Sequence, residues 1–197
     1  MSSIWPEAAD PDQQPVAPPV KIRPLAVHDF DRLEPLWLAL HEHHVRISPR
    51  LAGMPARLAH ESWARRRANY IHWASGPDTF VLVAEANHQL VGYAFVTVAS
   101  GYSSWNSGER QAQLETLSVA PSIRGQGIGD RLLAAVRERL SRAGIESIAL
   151  TAACANDGAH RFYERHGFRR AEIVFVGTTA PQHSAARCPR SLPSRRR

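Results

Sequence analysis

The segment Val119-Ala-Pro-Ser-Ile-Arg-Gly-Gln-Gly-Ile-Gly129 sets glycines at alternate positions just before an amphipathic run of Ile128, Leu132, Leu133, Val136 and Leu140. Alternate glycines let the backbone turn its N–H groups inward with no Cβ in the way, and a helix start adds partial positive charge. The loop Arg124, Gly125, Gln126, Gly127, Ile128, Gly129 therefore predicts a cradle for a phosphate-bearing ligand. A mononucleotide P-loop would need Lys followed by Ser or Thr, and a dinucleotide fingerprint would need Gly where Asp130 stands. A glycine-rich turn that only joins a strand to a helix is written in the same letters. About thirty residues on, Asn156-Asp-Gly-Ala159-His-Arg-Phe-Tyr163-Glu-Arg-His-Gly167-Phe168 reads as a short helix with Asn156 as N-cap and Gly167 as its stop.

These residues need elements to hold them. Residues 20–25 alternate as a half-buried strand does, and Pro24 marks it as an edge. Helices are predicted from Asp29 to about His44 and from about Ala56 to Trp73, with a loop over 49–55. Thr79 to Ala86 and Gln89 to Ala99 form a hairpin of strands across the turn Asn87-His88. A loop from Gly101 to Arg110 leads to a strand from Gln111 to Val119. After the helix that starts at Gly127 and stops at Gly144, Ile145 to Ala153 reads as a strand, Asp157 to His166 as a helix, and Phe168 to Val176 as the last strand. A strand, a crossover helix and a second strand imply parallel neighbours.

The strand from Gln111 to Val119 changes phase along its length. Ala112 and Leu114 are apolar at even positions, Leu117 and Val119 at odd ones. One face collects both sets only if an extra residue intervenes near Glu115-Thr116, as in a β-bulge; a strand buried on both faces gives the same pattern.

The two motifs together resemble the GNAT superfamily of acetyl-CoA-dependent N-acetyltransferases. Arg124, Gly127 and Gly129 match its pattern of Arg or Gln, two residues, Gly, one residue, then Gly or Ala. Asn156, Ala159, Tyr163, Gly167 and Phe168 match its Asn...Ala...Tyr...Gly-Phe segment, in the family's order, and the resemblance extends more weakly over about Lys21 to Val176. It implies an α/β domain whose mixed, mostly antiparallel central sheet is splayed into a V with helices on both faces, and acetyl-CoA in the opening. It implies that Leu117, Ser118 and Val119 bind the cofactor through main-chain groups beside a bulge. Arg124 to Gly129 would hold its pyrophosphate, Asn156 would touch it as well as cap its helix, and Tyr163 would be general acid to the leaving sulfur. Transfer is then direct, in a ternary complex without an acyl-enzyme, so Cys154 reads as a small buried residue. Glu115, the one acid of its strand, is the candidate general base, directly or through water; a solvated strand residue looks the same. The family's first two helices wall the acceptor site, which suggests Ser48 to Pro55 and Tyr102 to Trp105 for that part here.

Composition narrows the rest. A chain of 197 residues suffices for one self-contained domain, and residues 1–19 and 178–197 read as disordered tails flanking a domain over 20–177. No apolar run reaches the roughly 18 residues of a membrane span, and two cysteines fit a reducing compartment, so a cytoplasmic protein is expected. Five arginines after Val176 and three acids before Lys21 account for +2 of the formal charge of +6, leaving a modest +4 on the body. Nucleic acid is thus not an expected partner, although a protein binding it through the arginine tail is one rival reading. A non-catalytic acyl-CoA-binding or regulatory module is another. The expected partner is a small-molecule or peptide amine; a homodimer stays open. His41, His43 and His44 on one helix are read as polar surface, and no metal is expected. Trp63, Arg66, Tyr70 and Trp73 share one side of the second helix and are read as core packing.

Overall fold

The computed structural model describes residues 19–177 and 179, so all of the expected tails but residues 19 and 179, with Cys188 and the arginine-rich end, lie outside the described residues. Eleven elements carry the domain: β1 (Lys21–Pro24), α1 (Glu34–Ile47), β2 (Arg50–Leu51), β3 (Met54–Pro55), α2 (Ala59–Ala74), β4 (Thr79–Ala86), β5 (Gln89–Ser100), β6 (Arg110–Val119), α3 (Ile128–Arg142), β7 (Ser147–Leu150) and α4 (Asp157–Arg165). The main sheet runs β1-β4-β5-β6-β7, antiparallel throughout except for the parallel pair β6–β7 that α3 connects. β1 is an edge strand, where the missing N–H of Pro24 does least harm.

Each face of the sheet has its own core. On one, the α3 stripe Leu132, Leu133, Val136 and Leu140 packs on Leu82, Ala84, Ala94, Val96, Ala112 and Leu114. On the other, Phe30, Leu33, Trp37, Trp63 and Tyr70 from the α1–α2 side cover Val81, Val83, Tyr93 and Phe95. The strict alternation of β4 and β5 is what feeds both cores from one sheet. Asn87 and His88 join these strands with φ of 49° and 62°, the paired left-handed geometry of a tight hairpin. Among the described residues no helix is long and apolar enough to cross a membrane.

The elements depart from expectation in four places. The first helix begins as a 3₁₀ turn over Val27–Leu33, where the Glu34 N–H bonds to Asp31 O. Pro35 follows, and with no N–H it cannot continue an i→i−4 ladder backwards, so the α-helix starts afresh at Glu34. The expected loop over 49–55 contains the small hairpin β2–β3, turned by Ala52 and Gly53 at positive φ. The strand expected over 145–153 is confined to Ser147–Leu150. Ile145 is instead the closing residue of α3: its N–H bonds to Leu140 O, and Gly144 (φ 68°) bonds to Ser141 O, a Schellman ending.

The fourth departure is the last strand. Residues 168–176 form none, and Ile173, Val174, Phe175 and Val176 are exposed. Strand propensity is realised only where a segment finds a ladder and a face to bury, and the four-residue β7 supplies neither to these residues. Cys154, expected to be buried, is exposed in the loop that follows β7.

One ion cluster fastens the β1 edge. Glu85, at the β4 irregularity, accepts from Arg23 (2.6 Å) and Arg32 (3.2 Å). The Arg23 hydrogen bond, reinforced by Arg32, holds its carboxyl at about 2, against an ordinary 4.5. A depressed carboxyl stabilises the fold above its unfolded value and loses that contribution as pH falls through the folded one. Urea unfolding between pH 5 and pH 2 should therefore show a shallower loss of stability in Glu85→Gln than in the parent protein; parallel slopes would contradict the pairing.

Candidate active site

β6 changes phase as its sequence predicts. Its register against β5 jumps from Val96–Leu114 to Phe95–Thr116, which leaves Glu115 as the extra residue of a bulge. Before the bulge Ala112 and Leu114 face the α3 core, and after it Leu117 and Val119 do. Thr116 and Ser118, both buried, turn to the helical layer opposite: Thr116 Oγ1 lies 2.6 Å from the Tyr70 hydroxyl, and Ser118 donates to Leu36 O at 3.2 Å. The Tyr70 hydroxyl also lies 3.1 Å from that of Tyr93, so three hydroxyls buried among aromatic rings satisfy one another. Burial pushes both phenols up, Tyr93 well above its ordinary value.

The other edge of β6 is open. β7 pairs only with Gln111–Leu114 and ends at Leu150, so from Glu115 to Val119 no described strand lies on that side. The β6–β7 ladder is interrupted there. Glu115 lies on the α1–α2 face near the Tyr70 phenol, its carboxylate accepting from Thr97 Oγ at 2.9 Å.

The open edge leads straight into the glycine loop. Arg124 Nε donates back to Val119 O at 3.1 Å, lacing the loop to the strand end. Gly125 (φ 81°) and Gly127 (φ 73°) are left-handed, and Gly127 is the N-cap of α3. A Cβ at Gly125 would meet nothing within 4 Å, and one at Gly127 only Asp130 Oδ2 at 3.8 Å, so the backbone angle and not crowding requires glycine there. The first N–H to bond within α3 is that of Arg131, to Gly127 O, which leaves those of Ile128, Gly129 and Asp130 without a helical acceptor. Ile128 buries its side chain in the core and offers only its N–H, while Gln126 is exposed.

Gly129 has a different reason. A Cβ on it would stand 3.3 Å from Phe162 Cε2, so it is where α4 closes on α3. The same junction is tied by His166, whose Nε2 lies 2.9 Å from Asp130 Oδ1 and whose Nδ1 lies 2.8 Å from Phe162 O. Asn156 caps α4 by accepting from the Ala159 N–H at 3.1 Å. At the other end Gly167 (φ 81°) and Phe168 donate to Glu164 O and Tyr163 O, a second Schellman ending, with the Phe168 ring 5.5 Å from that of Tyr163. The Gly-Phe pair of the motif thereby locks Tyr163 in place. Burial pushes the Tyr163 phenol up to about 12, and its ring packs on the α3 side of the sheet. Glu115 and Tyr163 thus belong to opposite faces of the sheet. Among the described residues no three His, Cys, Asp or Glu side chains converge as metal ligands do.

Sequence reasoning did not find the Tyr70–Tyr93–Thr116 hydroxyls, the Thr97 bond to Glu115, or the Asp130–His166 pair. Tyr70 reads along its helix only as one more aromatic of a buried side, and no local spacing links 130 to 166.

Comparison with known proteins agrees with this architecture. The family model described as the acetyltransferase (GNAT) family matches residues 37–168. The chain belongs to that family. It is 38% identical over 64 residues (32% of this chain, 42% of the relative) to the aminoalkylphosphonate N-acetyltransferase of Salmonella typhimurium. It is 29% identical over 172 residues (87% and 50%) to a mycothiol acetyltransferase of Sanguibacter keddieii. The chain thus spans half or less of these relatives' lengths. The PaiA N-acetyltransferase of Thermoplasma acidophilum, solved in complex with coenzyme A, has the same fold: TM-score 0.62 at 20% identity, over 79% of this chain and 93% of that one.

The hydroxyl cluster under the bulge gives a direct test of what holds it. Thr116→Val keeps the shape but removes a partner from buried Tyr70, and should cost about 1–3 kcal/mol in urea unfolding. Thr116→Ser, which keeps the hydroxyl and removes only the methyl group, should cost clearly less; a Thr116→Val protein as stable as the parent would contradict the role of the hydroxyl.

Proposed function

We propose that this protein transfers an acetyl group from acetyl-coenzyme A to a primary amine, carried by a small molecule or a peptide. The observation that carries the reading is the open edge of β6 from Glu115 to Val119, continuous with two left-handed glycines at the start of α3. An unpaired strand edge suits the amides of a pantetheine arm, and free N–H groups at a helix start suit a pyrophosphate, so the residues present fit this cosubstrate. Bound there, acetyl-CoA supplies an acetyl group activated as a thioester for direct attack in a ternary complex.

The chain's own residues then have these parts. Leu117, Ser118 and Val119 bind through main-chain groups, because two of the side chains lie against the core and the third is bonded to Leu36. Gly125, Gln126, Gly127, Ile128 and Gly129 receive the pyrophosphate, with Arg124 holding the loop in shape and adding charge, and Asn156 contributes beside the start of α4. Glu115 accepts the amine proton on the α1–α2 face, directly or through water, its carboxylate oriented by Thr97. Tyr163, held protonated by its burial far into the alkaline range, donates to the departing sulfur from the other face. Every one of these residues comes from one chain, so a homodimer would carry one such site per copy.

Thiol release from acetyl-CoA against a panel of amines tests the whole reading; tight coenzyme A binding with no turnover of any amine would favour the binding-module alternative. Gly127→Val puts a β-branched residue at φ 73°, and calorimetry should show coenzyme A affinity lost while circular dichroism shows a folded domain. Undiminished affinity would remove the cradle.

The proton-transfer roles have their own variants. Tyr163→Phe keeps the ring and its packing, so kcat should fall by about 10²–10⁴ with coenzyme A affinity nearly unchanged. Glu115→Gln should abolish the acidic limb of the pH–rate profile. Two fully active variants would sink both assignments.

A further inference from the structure

Between α1 and α2 lies a cavity of about 180 Å³ lined by Trp37, Arg57, Ser62, Arg65, Arg66 and Asn69. Ser62, Arg65, Arg66 and Asn69 recur every three or four residues, so one face of α2 presents them together. Three arginines line this cavity and no acidic residue does. Some other arginines are matched: Arg67 is paired with Asp31, Arg23 and Arg32 with Glu85, Arg110 with Asp78. Arg57, Arg65 and Arg66 have no carboxylate partner among the described residues.

Arg66 is also the most firmly placed of the three. Its guanidinium lies 4.4 Å from the Trp37 ring centroid, 5.6 Å from that of Tyr70 and 5.9 Å from that of Trp73, aromatic contacts that hold the group and leave its N–H edge for a ligand. His44 nearby is shifted toward its neutral form, first by burial and then by His43, His41 and Arg66. Tyr70, fully buried, stands between Arg66 and the bulge. That phenol lies in the field of both Arg66 and Glu115, and it is bonded to Thr116, the residue next to Glu115 in the bulge. Arg66 and Glu115 thus lie on the same face of the sheet, each close enough to influence the same phenol.

We propose that the acceptor is an amine carrying an anionic group, a carboxylate, phosphonate or phosphate, and that Arg57, Arg65 and Arg66 receive that group. Guanidiniums fixed without an acid partner bind such oxyanions through paired, charge-assisted hydrogen bonds. Ser62, whose Oγ accepts from Trp37 Nε1 at 3.2 Å, and Asn69 add uncharged polar groups to the lining. This proposal rests on the acetyl-transfer reading above and assigns the class of acceptor.

The test compares acceptors of like size. β-Alanine, 2-aminoethylphosphonate and O-phosphoethanolamine are set against neutral propylamine and dicationic putrescine, with acetyl-CoA saturating, and the phosphate-bearing members are ranked against the carboxylate to tell the anions apart. At least one anionic amine should exceed propylamine in kcat/KM by tenfold or more. In Arg66→Gln and Arg65→Gln that ratio should fall at least tenfold, chiefly through KM of the anionic acceptor. Preference for propylamine or putrescine, or a ratio unchanged in both variants, overturns the proposal while leaving acetyl transfer intact. If no amine is turned over, the acetyl-transfer reading fails, and calorimetry of 2-aminoethylphosphonate with the full chain and coenzyme A decides the cavity separately. Binding weakened tenfold in Arg65→Gln supports the anion site, and no binding, or equal binding, overturns it.

Discussion

A strand whose edge has no neighbour must find other partners for its N–H and C=O groups, and the rest of this fold follows from how β6 meets that demand. The bulge at Glu115 rotates the strand so that Leu117 and Val119 stay in the α3 core while Thr116 and Ser118 reach the opposite helices. β7 stops where the bulge begins. The second half of β6 is consequently held by β5 on one side and by its two faces, and its remaining edge has no strand beside it among the described residues. Fixing an open edge without closing it needs bonds perpendicular to the sheet, which is what the Tyr70–Thr116 and Ser118–Leu36 contacts supply.

The glycine loop depends on the same strand. Because β6 ends at Val119 with its outer edge free, the turn through Arg124 to Gly127 delivers the start of α3 alongside that edge. Two helices then approach closely enough that a Cβ at 129 would press on the Phe162 ring, and the Asp130–His166 pair ties the first turn of α3 to the last turn of α4. The glycine loop and Tyr163 are thereby fixed in one frame, although Gly129 and Tyr163 stand 34 positions apart in the sequence. The pair also occupies the carboxylate of Asp130, the one acid in the first turn of α3, where a free negative charge would oppose an anionic ligand.

The α1–α2 layer does two jobs with one set of aromatics. Tyr70 stacks on Phe95 at 3.9 Å between ring centroids and meets Phe30 edge-on, forming the core on that side. Its hydroxyl end supports the bulge, and its ring, with those of Trp37 and Trp73, supports Arg66 from the other direction. Packing, strand geometry and the charge of the neighbouring cavity are coupled through this single side chain. A change at Tyr70 would therefore be felt in stability and at the site together.

Local terms were legible in the sequence. The phase change from Ala112 and Leu114 to Leu117 and Val119 announced the bulge; Gly127, Gly144 and Gly167 marked helix ends that require positive φ; and the apolar stripe of α3 named its buried face. Each is decided within a few residues, by backbone sterics or by the period of burial, so the order of letters suffices. What sequence could not decide were matters set by a partner far along the chain. Phe168 to Val176 has the composition of a strand but no ladder to join, and Cys154 is small and apolar yet falls where β7 has already ended. Thr116 reads as an ordinary strand residue until Tyr70 stands over it, and Asp130 reads as a mismatch until His166 meets it. Local propensity fixes an element's shape, whereas the identity of its neighbours comes only when the whole chain has closed, and the tertiary structure alone decided those.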